Sequence, residues 1–171
     1  MGEAPMFIPP VRDEYWAVVR ERYTAARAEA SRIKSKTNVD MRVEILKPVH
    51  LGLTEYRLPV GTKTYTLKDN TAIFPFGIIN RDEGFDYMKW WSGAQLKYIA
   101  DWFVAPVYLM SQYKQGVYGG NLKAYEFRGA ETFTFQVHTT TTPTPSEVDA
   151  WLLAFVVLPE TMAETAIVES T

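Results

Sequence analysis

The stretch Val148 to Leu158 reads V-D-A-W-L-L-A-F-V-V-L before Pro159, and no other part of the chain is so continuously apolar. From Ala150 to Leu158 no residue is charged, and the aromatic and β-branched side chains favour a pleated backbone over a helix. These nine residues are too few for a helix that crosses a membrane. We therefore predict a central β-strand that is buried on both faces. A second sheet would cover one face, and an N-terminal helix or another subunit would cover the other.

An amphipathic helix is predicted near the N-terminus, from Val11 to Lys36. Apolar residues recur there at spacings of three and four, which is the period of one helical face. This stripe consists of Tyr15, Trp16, Val19, Tyr23, Ala26, Ala30 and Ile33. We interpret the stripe as a surface that packs on the chain's own β-domain. The alternatives are packing on a neighbouring subunit and packing on a membrane surface.

From Asp40 onward the period changes to two, in short segments about ten residues apart, as in a β-sandwich or barrel. The predicted strands are 41–45, 51–58, 62–67, 71–79, 85–91, 104–113, 123–128, 131–138 and the opening stretch 148–158. Residues 1–36 would thus be an N-terminal arm and helix, and residues 37–171 a β-sandwich, in one folding unit overall. The 171-residue chain is long enough to bury a sizeable core.

Several local features refine this plan. Pro75 cannot donate to a central ladder, so it should lie at an edge or a bulge. Ser92 is predicted to cap a short helix that runs to Phe103, with a strand as the alternative. Segments 123–128 and 131–138 are predicted to pair as a hairpin. The tail 160–171 is predicted to be a short edge strand or an arm that adds to another subunit.

The composition excludes several classes of function. A net charge of −2 gives no field that collects nucleic acid, and no cysteine is present for disulfides, thiolate catalysis or zinc. No phosphate-binding loop, dinucleotide fingerprint or nucleophile elbow occurs. With only His50 and His138, the imidazole cluster of a cupin cannot form. We expect His138 to be a hydrogen-bonded structural residue and His50 to lie in a loop. The sequence predicts no catalytic, cofactor-binding or metal-binding residue, and no cofactor.

Two clusters of side chains remain as candidates for function. Asp82, Glu83 and Asp86 could in principle supply a carboxylate pair for glycoside hydrolysis, but adjacent acids usually solvate a loop. The large aromatic residues more often belong to a core or a subunit interface. The predicted interface residues are Tyr15, Trp16, Trp90, Trp91, Trp102 and Trp151. The alternative is a sugar-stacking platform of Trp90, Trp91, Tyr98 and Trp102, which would make the protein a carbohydrate-binding β-sandwich.

The arrangement as a whole resembles the single jelly-roll capsid proteins of tailless icosahedral viruses that have an internal membrane. Within that family it is most similar to the small major capsid proteins of thermophilic bacteriophages. The resemblance rests on the leading helix at 11–36, about eight strand-like segments between Asp40 and Leu158, and the absence of cysteine. Asparagine and glutamine are also sparse, as in proteins from hot habitats.

This resemblance implies a mainly β fold, a single jelly-roll sandwich or barrel with an N-terminal amphipathic helix. It implies a major capsid subunit that associates with itself as a dimer or larger species, and with a second, larger capsid protein. An internal membrane would be a further contact, and sequence-specific nucleic acid would not. The first ten residues show no export signal, so we expect assembly in the host cytoplasm and residence in the virion.

Overall fold

The computed structural model describes residues 9–80, 84–92, 95–101, 127–128, 132–162 and 166–170, some of them by their backbone alone. These ranges form one long helix and a set of antiparallel β-strands, so the fold is mainly β. Helix α1 spans Pro9–Thr37. The strands are β1 (Met41–Ile45), β2 (Leu58–Pro59), β3 (Gly61–Leu67), β4 (Ala72–Asn80), β5 (Phe85–Ser92), β6 (Gln95–Asp101), β7 (Phe127–Arg128), β8 (Thr132–Thr139), β9 (Glu147–Val148), β10 (Ala150–Pro159) and β11 (Val168–Ser170).

Two larger sheets carry the fold. The four-stranded sheet has the order β1-β10-β4-β7, and the five-stranded sheet has the order β11-β3-β8-β5-β6. Strands β2 and β9 form a separate short pair. The core between the larger sheets contains Tyr65 and Leu67 from β3 and Phe133, Phe135 and Val137 from β8. The period-two pattern predicts that Tyr65 and Leu67 point inward and that Phe133, Phe135 and Val137 share one face of their strand, and both predictions are confirmed.

Strand β10 is central and buried on both faces, as predicted. Leu152, Ala154, Val156 and Leu158 belong to the core between the sheets. Leu153, Phe155 and Val157 face the other way and pack in a second cluster with helix α1. Because side chains alternate along the strand, one face of β10 packs against the five-stranded sheet and the other packs against the chain's own helix α1.

Helix α1 packs on the outer face of the four-stranded sheet. Ala26, Ala30 and Ile33 are buried there against Phe74 and Val157. The apolar stripe thus packs on its own β-domain from Val19 to Ile33, which confirms the preferred interpretation for this part of the helix.

The helix ends where the sequence predicts a stop. Asn38 has a φ of 62°, in the left-handed region, and its N–H donates to the Lys34 carbonyl at 2.8 Å. An asparagine in this conformation after the last helical residue is a common C-terminal cap.

Pro75 lies at an irregularity in strand pairing, as predicted. Gly77 pairs with Leu153 and Pro75 pairs with Ala154, so the register shifts between them and leaves Phe76 as the extra residue. The bulge allows a residue without an N–H donor to occupy a central strand.

Three local predictions are wrong. Residues 51–58 form no long strand, because a 3-10 turn at Pro48–Leu51 is followed by Gly52 with a left-handed φ of 73°. The helix preferred after Ser92 is absent, and the strand alternative is confirmed, because β6 pairs with β5. Strand β7 pairs with β4 and not with β8, so the predicted hairpin is absent from the described residues. The predicted strand at 104–113 lies outside the described residues.

The C-terminal tail forms an edge strand of its own chain. Val168–Ser170 pair with β3, and Ile167, which is fully buried, donates its N–H to the His50 carbonyl at 2.9 Å. The edge-strand alternative is therefore confirmed. Because the tail leaves β10 in one sheet and reaches β3 in the other, it ties the two sheets together at one end.

The contact between helix and sheet should depend strongly on Phe155. Its ring lies 4.7 Å from that of Phe76 and 5.3 Å from that of Tyr23, measured between centroids. We expect Phe155→Ala to lower the free energy of unfolding by about 3–5 kcal/mol, because the cavity between the two layers cannot fully collapse. Urea unfolding followed by circular dichroism measures the change. Ile45→Ala, at a 47% exposed position of the same sheet, is the control and should cost under about 1 kcal/mol. Equal losses for the two variants would contradict the two-layer account.

Candidate functional site

The polar groups that sequence analysis singled out for chemistry do not assemble into a catalytic centre in the described residues. His138 Nδ1 lies 2.9 Å from Asp86 Oδ2, and both side chains are substantially exposed. This contact agrees with the predicted hydrogen-bonded role of His138. Asp82 and Glu83 lie outside the described residues. Within the described ranges, no three His, Cys, Asp or Glu side chains lie close enough together to hold a metal ion.

Of the predicted interface aromatics, the structure describes the side chain of Trp151 alone. That side chain is 2% exposed, its Nε1 donates to the Leu46 carbonyl at 3.4 Å, and the Tyr56 ring lies edge-on at 5.4 Å. The core of the chain itself therefore accounts for the burial of Trp151.

The other predicted interface aromatics are placed by backbone alone or fall outside the description. Tyr15 and Trp16 lie within α1, and the register pairs Trp90 with Phe135 and Trp91 with Thr134. Trp102 lies outside the described residues. The interface and sugar-platform assignments of these residues stay predictions.

Threonines of β3 and β8 pair on one face of the five-stranded sheet. Thr64 and Thr134 are directly paired across β3 and β8, with their hydroxyl oxygens 3.0 Å apart, and Thr66 and Thr132 repeat the contact at 3.2 Å. Cross-strand threonine pairs stabilise a sheet by hydrogen bonding. This face contrasts with the outer face of the four-stranded sheet, which is apolar and lies under α1.

His50 is the centre of a buried polar network that sequence analysis missed. Its side chain is fully buried, and its Nδ1 accepts a hydrogen bond from the Lys47 N–H at 2.9 Å. A nitrogen that accepts carries no proton, so the network assigns the proton of the neutral ring to Nε2. Nε2 then donates to Glu44 Oε1 at 2.8 Å. The predicted loop position is thus a 3-10 turn whose histidine points inward.

Arg42 completes this Arg42–Glu44–His50 network and connects it to the C-terminal tail. Arg42 Nε donates to Glu44 Oε2 at 3.0 Å, and its terminal nitrogen donates to the carbonyls of Pro159 and Glu160 at 3.1 and 2.6 Å. The His50 carbonyl accepts from Ile167. The network therefore fixes the point where the tail leaves β10 and the point where it approaches β11. The function of the network is positional.

The carboxyl group of Glu44 is held in its ionised form. Partial burial alone would raise its pKa, but the hydrogen bonds from Arg42 and His50, together with the positive charge of Arg42, outweigh burial and lower the pKa. An ionised carboxylate that accepts several hydrogen bonds contributes to folding stability.

A shallow polar groove of about 280 Å³ lies between the end of α1 and the turn before β4. Glu29, only 4% exposed, accepts two hydrogen bonds from Arg32 at 2.8 and 2.7 Å, and this pairing raises the pKa of the Arg32 guanidinium. Lys36 and Asp69 also line the groove. Charges of both signs are mixed in the groove, and two of the charged residues, Glu29 and Arg32, already pair with each other.

Comparison with known proteins found no matching family model, no matching curated protein and no matching solved structure. Among the described residues, no helix combines the length and apolar character needed to cross a membrane.

The Glu44 carboxylate should make stability depend on pH. Its folded-state pKa lies below the value in the unfolded chain, so its contribution is complete above about pH 4.5 and is lost as pH falls through the lowered value. We expect Glu44→Gln to lower the free energy of unfolding by roughly 1–3 kcal/mol at pH 7. As the pH falls through this lowered pKa, the variant and the parent chain should converge.

Urea unfolding between pH 3 and pH 7 measures this dependence. Glu55→Gln, a change at an exposed carboxylate, is the matched control and should leave the parent's pH profile in place. A constant difference between Glu44→Gln and the parent at every pH would show that the charge of Glu44 is irrelevant.

Proposed function

We propose that the protein is a major capsid subunit of a tailless icosahedral virus with an internal membrane, within the group that infects thermophilic bacteria. Its role is structural, with no catalytic site. It is a single jelly roll that associates with copies of itself and with a larger jelly-roll capsid protein, is assembled in the host cytoplasm and resides in the virion.

The pairing of the eight sheet strands β1, β3, β4, β5, β6, β7, β8 and β10 is the observation that carries this proposal. Numbered one to eight along the chain, they pair one with eight, two with seven, three with six and four with five, all antiparallel. A ribbon of four such pairs forms a jelly roll when it rolls up so that alternate pairs fall in opposite sheets. The contacts that rolling requires are β10 with β4 and β8 with β5, and both occur.

Jelly rolls serve in lectins and cupins as well as in viral shells, so the fold leaves the function open. The surfaces of this chain favour an assembly role. Its own helix covers the outer face of one sheet, and threonines occupy a face of the other. Neighbouring copies can therefore meet most readily at sheet edges, where backbone groups are available for pairing. The long leading helix and the lack of cysteine agree with the family resemblance.

Light scattering coupled to size-exclusion chromatography tests the proposal on the purified full-length chain. We expect the measured mass to rise with protein concentration from monomer to dimer or larger closed species. Contacts between capsid subunits bury apolar surface, which salt does not screen. Moderate salt should therefore not dissociate these species. Deletion of residues 1–8 should reduce the larger species while leaving the thermal unfolding of the β-domain in place.

A strict monomer at every concentration would overturn the capsid proposal. In that case quenching of tryptophan fluorescence by oligosaccharides would favour the carbohydrate-binding alternative. The tail 160–171 is unsuited to the deletion experiment, because β11 belongs to the chain's own sheet.

A further inference from the structure

Strand β1 forms an edge of the four-stranded sheet, and its outward backbone groups can be identified. The Leu46 N–H donates to the Ala154 carbonyl at 2.9 Å, and the Glu160 N–H donates to the Asp40 carbonyl at 2.8 Å. Antiparallel strands alternate between hydrogen-bonded and non-hydrogen-bonded pairs. Arg42 and Glu44 therefore direct their backbone groups toward β10. The residues between and beside them direct theirs away from the sheet, and these are Met41, Val43 and Ile45.

This edge is open in the described part of the chain. No donor or acceptor there meets the outward N–H and C=O groups of Met41, Val43 or Ile45. Proline, lysine and bulges commonly protect edge strands, and β1 has none of them. Its last residue, Ile45, is 47% exposed. An edge strand whose outward backbone groups are unpaired in the described residues is a site for adding another strand.

We propose that β1 pairs with β1 of a second copy of the chain, antiparallel, about a two-fold axis at Val43. Val43 then faces Val43 of the partner subunit, and Met41 faces the partner subunit's Ile45. Each of the three outward residues meets an outward residue, so that the three pairs exchange six backbone hydrogen bonds. A shift by one residue would place outward groups against groups already used by β10, which excludes that register.

Arg42 and Glu44 already pair with each other within the chain, and pairing of β1 with its own copy places each of them opposite a charge of the other sign. Arg42 and Glu44 lie at equal distances on either side of Val43, so the two-fold axis brings Arg42 opposite Glu44 of the partner subunit. Opposite charges across strands are favourable, and like charges are unfavourable. A strand of other composition would have to supply the same pattern by chance.

The pairing also accounts for the exposed side chain of Ile45 at this edge. Met41, Val43 and Ile45 alternate with the charged residues and share the face on which α1 packs. Joining two edges would give one sheet of eight strands with both helices on the same side. The exposed Ile45 would then be covered between the two subunits. The interface is isologous and closed, and it leaves the five-stranded sheets available for other contacts.

This proposal rests on the proposed function, because it names the surface through which the subunit associates with itself. The decisive variant is Ile45→Pro. Since the Ile45 N–H points outward, proline there removes no bond within the chain but removes two of the six bonds of the dimer. We expect the dimer dissociation constant to rise about 100-fold. Ile45→Ala keeps the N–H and is the matched control, with a rise under about tenfold.

Sedimentation velocity gives the dissociation constants, circular dichroism checks that each variant is folded, and amide hydrogen exchange locates the interface. In the parent chain, exchange at Met41, Val43 and Ile45 should slow as concentration rises through the dimer midpoint. If the chain self-associates without slower exchange at these amides, and Ile45→Pro still associates, the β1 interface is wrong while the capsid role stands. A dimer that slows exchange at these amides and is lost in Ile45→Pro would support both the β1 edge and the self-association expected of a capsid subunit. A strict monomer would overturn both.

Discussion

Strand β10 must bury both of its faces, and the rest of the structure is arranged to meet that requirement. It carries no charged side chain from Ala150 to Pro159, so water on either face would expose a large apolar surface. The five-stranded sheet covers one face and helix α1 covers the other. Because β4 and β1 flank β10 on its two sides, their own outer residues fall under the same helix. One apolar strand thus accounts for three layers.

Polar contacts then fix how the ends of these layers meet. The Arg42–Glu44–His50 network lies between β1, the 3-10 turn and the start of the C-terminal tail. Removal of one partner would leave buried polar atoms unsatisfied, which costs more than the bond itself contributes. At another end, the Gly84 carbonyl accepts from the Thr139 hydroxyl and the Thr140 N–H, both at 2.8 Å. A side chain at Gly84 would collide with the Thr141 hydroxyl, so a larger residue there would require the Thr141 side chain to move.

The sequence predicted strands and helix faces correctly wherever buried residues recur with a single period, either two for a strand or 3.6 for a helix. The strand at 148–158, the inward Tyr65 and Leu67, and the stripe from Val19 to Ile33 could all be predicted, because each face meets one environment throughout. Prediction failed where two periods fit the same residues. Leu96 and Ile99 suit a helix as well as a strand, and pairing with β5 decided in favour of the strand.

Long-range pairing was also beyond local pattern. The segments 123–128 and 131–138 are neighbours in sequence, but β7 joins the four-stranded sheet and β8 the five-stranded one. His50 gave no signal of burial, since its partners Glu44 and Lys47 become acceptor and donor only after the turn at Pro48 has formed. The open edge of β1 could not be predicted either. It depends on which backbone N–H and C=O groups point away from β10, and residue types do not reveal this.

The pairing of β3 with β8 is the central claim, because it joins strands whose paired residues Thr64 and Thr134 are 70 positions apart in the chain. Thr64 and Thr134 form a directly opposed pair with hydroxyl oxygens 3.0 Å apart, and the chain has no cysteine to interfere. The most direct test is to measure disulfide formation in Thr64→Cys/Thr134→Cys, compared with the out-of-register pair Thr64→Cys/Thr132→Cys. The account predicts rapid and complete oxidation of the first pair and little of the second. Failure of the first pair in a folded chain, or equal oxidation of both, would contradict it.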